Sequence, residues 1–302
     1  MADCRFLQEK LRAGKTVLLD GATGTELEKR GVAMNSKAWT AEAVLACPEI
    51  VQAVHRDYIL AGAEVITANS FSLAKHMLLP AGLAGKFREL NEAAVHLALD
   101  ARHQAAESPV AVAGSIAPTT FCLDPAKGYL HREEAMSGYA LQAEILCRAG
   151  VDLLIVEMIG DIEQGSLAVA AACTTGLPVW LGFSCRRTAS GRLMLWDRGQ
   201  SLAEGVAAIA PIGGSAAFIM HTEVVDAAAA FTELQQVWSG PLGVYAHSGV
   251  FVMPHWQFND VISPEDYARE AGIWIAMGAQ IIGGCCGIGP AHIRELKKRY
   301  FS

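Results

Sequence analysis

From residue 17 onward, short runs of Val, Ile, Leu and Ala alternate with longer stretches in which apolar residues recur every three or four positions. The first pattern is that of strands buried on both faces, and the second that of helices with one apolar side. Eight strands are predicted, over Val17–Asp20, Glu64–Ala68, Val110–Gly114, Leu153–Glu157, Pro178–Ser184, Ala216–Met220, Leu242–His247 and Ile281–Cys285. Helical spacing lies between them, for example over Ser137–Ala149 and Pro264–Met277. The second of these opens on Ser263, Pro264, Glu265 and Asp266, a helix-start signal. Gly62, Gly150 and Gly278 each stand where a helix should close and turn into the next strand.

No Pro- or Gly-rich linker divides this alternation, so the expectation is one domain over residues 1–302, an α/β chain folded as a (β/α)8 TIM barrel. An open doubly wound sheet fits less well. The segment Asp20-Gly21-Ala22-Thr23-Gly24 after the first strand is glycine-rich but lacks the dinucleotide-binding spacing. In such a barrel the active site lies at the carboxyl ends of the strands. Those exits carry Asp20, Asn69, Ser115, Glu157, Ser184 with Cys185, His221, His247, and Cys285 with Cys286. A polar residue at nearly every exit of a half-apolar chain implies a binding pocket.

Composition narrows the function. Charged residues are 18% of the chain, and the net charge of -7 is spread along it, with no basic tract to follow a phosphate backbone. Nucleic acid is not an expected partner. The basic tail Arg294, Lys297, Lys298 and Arg299 reads as the last turns of a helix, where cations complement the dipole. The stretch from Met1 to Lys15 mixes charges with apolar residues, unlike a signal peptide. The most apolar stretch, Val206 to Met220, is short and broken by Pro211, Gly213, Gly214 and Ser215, so no membrane span is expected. A cytoplasmic location and reduced cysteines follow as expectations.

Of the eight cysteines, Cys4, Cys47, Cys122, Cys147 and Cys173 sit singly and read as small buried hydrophobes. The run Gly283-Gly284-Cys285-Cys286-Gly287 differs, because its glycines let the backbone turn sharply and bring both thiols to one ion. Zinc is the usual metal for thiolates, and a further ligand would come from His221, Cys185 or His247. On the residues alone, two buried thiols and a metal site are about equally supported. His221 is the first choice for the third donor, against a pocket histidine held by hydrogen bonds. Asp20 and Glu157 could form an acid and base pair, or hold a cation. Glu157 could instead pair with a nearby base such as Arg186. With a metal and no evident base for a nucleophile, binding of a substrate ammonium is favoured.

These residues resemble the homocysteine S-methyltransferases, a family with betaine-, S-methylmethionine- and cobalamin-dependent members. The similarity is carried by Leu19-Asp20-Gly21-Ala22-Thr23-Gly24-Thr25-Glu26-Leu27 and by His55-Arg56-Asp57-Tyr58 through Ile66-Thr67-Ala68-Asn69-Ser70-Phe71. It continues in Gly114-Ser115-Ile116-Ala117-Pro118 and in Ile281 to Gly287 with Pro290-Ala291-His292-Ile293. The resemblance implies a barrel holding one Zn2+ with three cysteines, two of them matched by Cys285 and Cys286. It implies a small thiol acceptor, by default homocysteine, and a small methyl donor, with Asp20, Gly21 and Glu157 at the amino acid end of the acceptor. Asn69, Ser115 and His247 complete the expected substrate-binding set.

Two departures stand out. The family's third cysteine falls on His221, which would make a Cys2His site, still a known zinc arrangement but less negative. After the seventh strand, His247 replaces an asparagine, and Phe251, His255, Trp256 and Phe258 make the following loop aromatic. Ring faces there could bind a sulfonium or quaternary ammonium donor, or could simply pack as a lid. The folate and cobalamin domains of the larger members have no counterpart here, which points to a small sulfonium or betaine-like donor. Two alternatives stay open at this level. One is a relative acting on another thiol or a selenol, and the other is a non-catalytic binding protein that has lost the metal.

Overall fold

A computed structural model describes residues 4–35, 37–118, 131–252 and 255–301. Cys122, read above as a buried hydrophobe, lies outside them. Eight parallel strands form one sheet: β1 (Val17–Leu18), β2 (Val65–Thr67), β3 (Ala111–Ile116), β4 (Leu153–Ile159), β5 (Val179–Arg187), β6 (Ala216–Glu223), β7 (Leu242–His247) and β8 (Ile281–Ile282). Their order is sequential, with β8 between β7 and β1. The seam between β1 and β2 is thin, a single bridge from Leu19 to Val65 flanked by Glu64 N–H to Leu18 O and Asp20 N–H to Val65 O. It closes the predicted barrel.

A return helix follows each strand, including Pro48–Ala61 after β1, Val224–Val237 after β6 and Pro290–Tyr300 after β8, which carries the basic tail. The expected helix over 264–277 is found as Pro264–Ala276, with the Ser263 hydroxyl accepting from Asp266 N–H. Gly62, Gly150 and Gly278 are left-handed, as a helix-closing residue must be.

Alternation along the strands sorts the apolar residues into two shells. Outward residues such as Leu154, Leu181, Ile219 and Val244 pack under the helices, while Val17, Val65, Ala113, Ile155, Trp180, Phe218, Tyr245 and Ile281 fill the barrel. The helix Arg5–Arg12 sets Leu7 into that inner cluster and closes the bottom. The top stays polar.

The strand ends differ from the predicted bounds. β1 and β8 are shorter, whereas β4, β5 and β6 run two to three residues further toward the mouth. The extension of β4 and β6 comes with bulges. Val156 pairs with Leu181 and Ile159 with Phe183, so three residues advance against two, and the same happens where Met220 pairs with Tyr245 and Glu223 with His247. Each bulge holds a left-handed residue that is not glycine, Met158 (φ 55°) and His221 (φ 40°). Such a conformation costs about 1–3 kcal/mol and persists only where the surroundings enforce it.

Candidate active site

A regular strand turns every second side chain inward, and Met220 already faces the barrel interior. His221 should therefore face the helices. The bulge in β6 breaks that parity and swings the imidazole into the mouth, a common use of bulges at barrel rims. Its Nδ1 lies 3.5 Å from Cys285 Sγ, and donor atoms of His221, Cys285 and Cys286 all lie within 4.8 Å of one another. Cys285 N–H bonds to Ala246 O, and Cys286 O accepts from Ser248 N–H, so the thiol turn is tied to the end of β7. Gly287 (φ 84°) passes so close to the Ser248 carbonyl that a Cβ would collide with it.

The chemistry of this donor set suits a soft divalent metal. Cys286 donates to Cys285, which holds the Cys285 thiol well below its ordinary range, and the nearby imidazole reinforces this. Cys286 is correspondingly pushed up, by that hydrogen bond and by burial. Two sulfurs and one nitrogen leave room for a fourth ligand from a substrate. Cys185 is elsewhere. It is buried in the shell under the helices, and burial pushes its thiol up to about 12.

Beside the donors lie the two carboxyl groups. Glu157 accepts from Ser115 Oγ in a very short hydrogen bond and from Tyr245 Oη at 3.1 Å. Asp20 accepts from Thr67 N–H at 2.6 Å and from Thr67 Oγ1 at 3.1 Å. No Lys or Arg ion pair reaches either one among the described residues. Burial pushes Asp20 up to about 8 despite the Thr67 hydrogen bonds, and Glu157 up to about 7 despite Ser115. Arg186, a possible partner of Glu157, instead lies 5.7 Å over the Trp196 ring.

The other expected residues are more dispersed. Gly21 backs onto the Ile288 carbonyl and the Tyr58 ring, where no side chain fits. Asn69 turns to Thr40, whose hydroxyl donates to its Oδ1 at 3.1 Å. Ser184 donates to the His221 carbonyl rather than facing the thiols. His247 lies against His221 with ring centres 4.5 Å apart and planes tilted by 36°, and burial pushes it down to about 3.

Aromatic rings surround this pair. Trp256 is 5.6 Å from His247 and Trp196 is 5.2 Å from His221, while Phe251 stacks on Trp256 and also meets Trp39. Trp256 and Phe251 come from a hairpin of Val250–Val252 and His255–Gln257. Trp196, Trp39 and Tyr245 were absent from the strand-exit reading. Tyr245 had a signal, being two residues before His247 and so on the same face of β7. Trp196 follows a short strand, Leu193–Leu195, that folds back on β5.

Comparison with known proteins agrees with this geometry. The family model described as homocysteine S-methyltransferase matches residues 17–300. The homocysteine S-methyltransferase of Escherichia coli is 32% identical, covering 94% of each chain, and the homocysteine S-methyltransferase YbgG of Bacillus subtilis is 26% identical, covering 96% of each. The crystal structure of the homocysteine methyltransferase MmuM from Escherichia coli, metallated form, superposes with a TM-score of 0.79 at 29% identity, covering 98% of this chain and 99% of that one. On the match over nearly all its length, the chain belongs to the homocysteine S-methyltransferase family.

Proposed function

We propose that this chain is a single-domain cytoplasmic enzyme that moves a methyl group from a small sulfonium or betaine-like donor to homocysteine, with His221, Cys285 and Cys286 holding a zinc ion. The observation that carries this is the convergence of one imidazole and two thiols within 4.8 Å at the barrel mouth. Zinc at this place would keep the substrate sulfur as a thiolate at neutral pH. Glu157 and Asp20 bind the substrate ammonium, which explains two buried carboxyl groups without Lys or Arg. The rings of Trp196, Trp256 and Phe251 receive the cationic donor and exclude water.

The transfer is a direct displacement. The thiolate lone pair forms the new S–CH3 bond as the donor's bond to that methyl breaks, its electrons staying with the departing atom. With a sulfonium donor, an anion and a cation become two neutral thioethers, a change that a desolvated aromatic mouth favours. The test is zinc content, with methylation of homocysteine by S-methylmethionine, in the wild type and in His221→Ala. About one zinc per chain with turnover, both lost in the variant, is expected. A wild type without zinc after reconstitution under reducing conditions overturns the reading.

A further inference from the structure

Cys285 and Cys286 reach the mouth on a glycine-rich turn, but His221 reaches it only through its left-handed backbone in the β6 bulge. That conformation is gripped by two hydroxyls. Ser184 Oγ donates to the His221 carbonyl at 3.0 Å. On the next residue of β6, Thr222 Oγ1 accepts from Cys185 N–H at 3.0 Å and donates to the Met220 carbonyl at 3.1 Å. The carbonyls on either side of the bulge are thus both taken by side-chain hydroxyls, and Ser184 and Thr222 are fully buried. The neighbouring bulge is tied to the same place, because Met158 N–H donates to Met220 Sδ at 3.1 Å.

We propose that Ser184 and Thr222 are positioning residues that set His221 as the third metal donor, an inference that rests on the zinc reading above. The argument is one of alternatives open to the peptide. A buried carbonyl without a donor is costly, so a β6 lacking these hydroxyls gains by rotating the peptides around residue 221 into the regular ladder with β7. Regular pairing restores strand parity and turns the imidazole toward the helices, away from Cys285. Neither hydroxyl touches a substrate in this scheme. Their effect passes through the φ of His221, which makes them outer partners of a metal ligand, a class whose removal weakens metal binding about 10- to 100-fold.

The experiment compares wild type, Ser184→Ala, Thr222→Val, Thr222→Ser and His221→Ala. Zn2+ affinity is measured by competition with a chromophoric chelator, the Co2+ absorption spectrum reports the donor set, and thermal unfolding of the metal-free protein reports structure. Ser184→Ala and Thr222→Val should lose about 10- to 100-fold in Zn2+ affinity and shift the Co2+ spectrum toward that of His221→Ala. Thr222→Ser, which keeps the hydroxyl, should retain wild-type values. Wild-type affinity and spectrum in both hydroxyl-free variants overturn the proposal, as does a lowered unfolding midpoint with an unchanged Co2+ spectrum. If Ser184→Ala does not fold, Thr222→Val decides on the same readings. A wild type that loads neither metal overturns this proposal together with the zinc reading, whereas equal loading by the wild type, Ser184→Ala and Thr222→Val removes this one alone.

Discussion

Glu157 is held by a serine and a tyrosine hydroxyl, partners that orient a carboxylate without neutralising it. A substrate ammonium would complete the set, and a charged hydrogen bond is worth about 1.5–3 kcal/mol, or roughly 10- to 100-fold. Glu157→Gln should therefore raise the KM for homocysteine by about that factor while leaving 4-mercaptobutyrate, the same thiol acid without the amino group, nearly unchanged. Equal losses for both thiols would sink the ammonium role. Protonation has the same sign: as pH falls through about 7, Glu157 takes up a proton and its attraction for the ammonium is lost. The KM for homocysteine should rise on that acid limb, and in Glu157→Gln the part centred near 7 should disappear, leaving that of Asp20 near 8. This carboxylate was legible in the sequence because it ends an apolar run. Its lack of a basic partner was not, since the position of Arg186 depends on where Trp196 lies.

The hairpin over Val250–Val252 and His255–Gln257 brings Phe251 and Trp256 over the histidine pair, and one carboxylate fastens it. Glu28, on the helix Thr23–Lys29, accepts from Trp256 N–H at 3.0 Å and pairs with His255 Nδ1 at 2.7 Å. Removing it with Glu28→Ala should raise the KM for the methyl donor several-fold without altering zinc content or the KM for homocysteine. Faster proteolysis within residues 250–257 would accompany that change, and an unchanged donor KM would show that the hairpin is not part of the donor site. At this scale the strands and helices were readable from periodicity, because parallel strands buried on both sides form continuous apolar runs. The bulges were not. Met158 has no special tolerance of positive φ and histidine only a modest one, so the sequence does not mark the bulges, and the tertiary ties of Ser184, Thr222 and Met220 hold the conformation.

Across the whole molecule, the packing of helices on the barrel includes one titratable group without a counterpart. His55, on the helix Pro48–Ala61, is fully buried with no hydrogen-bond partner on either ring nitrogen among the described residues, and burial pushes it down from 6.5 to about 4. The unfolded chain takes up the proton first as pH falls, so His55 adds no pH-dependent cost above about 6.5, and stability declines between there and about 4. The full loss is on the order of 3 kcal/mol. His55→Leu should remove this component and move the acid-unfolding midpoint to lower pH, measured by denaturant titration across that range. No change in the acid limb would mean that His55 protonates without unfolding the helix from the barrel. The eightfold architecture itself was legible, since the count of apolar runs needs no knowledge of contacts. The thin seam was not, because the length of β1 depends on its two neighbours, β2 and β8. The position of β8 in the sheet has a consequence during synthesis. A ribosome delivers residue 17 long before residue 281, and the strand between β7 and β1 is the last of the eight to emerge. Until then the nascent barrel has an open gap, and neither thiol of the candidate metal group has left the exit tunnel. An ion held as proposed above could be loaded only after residues 281–286 have emerged.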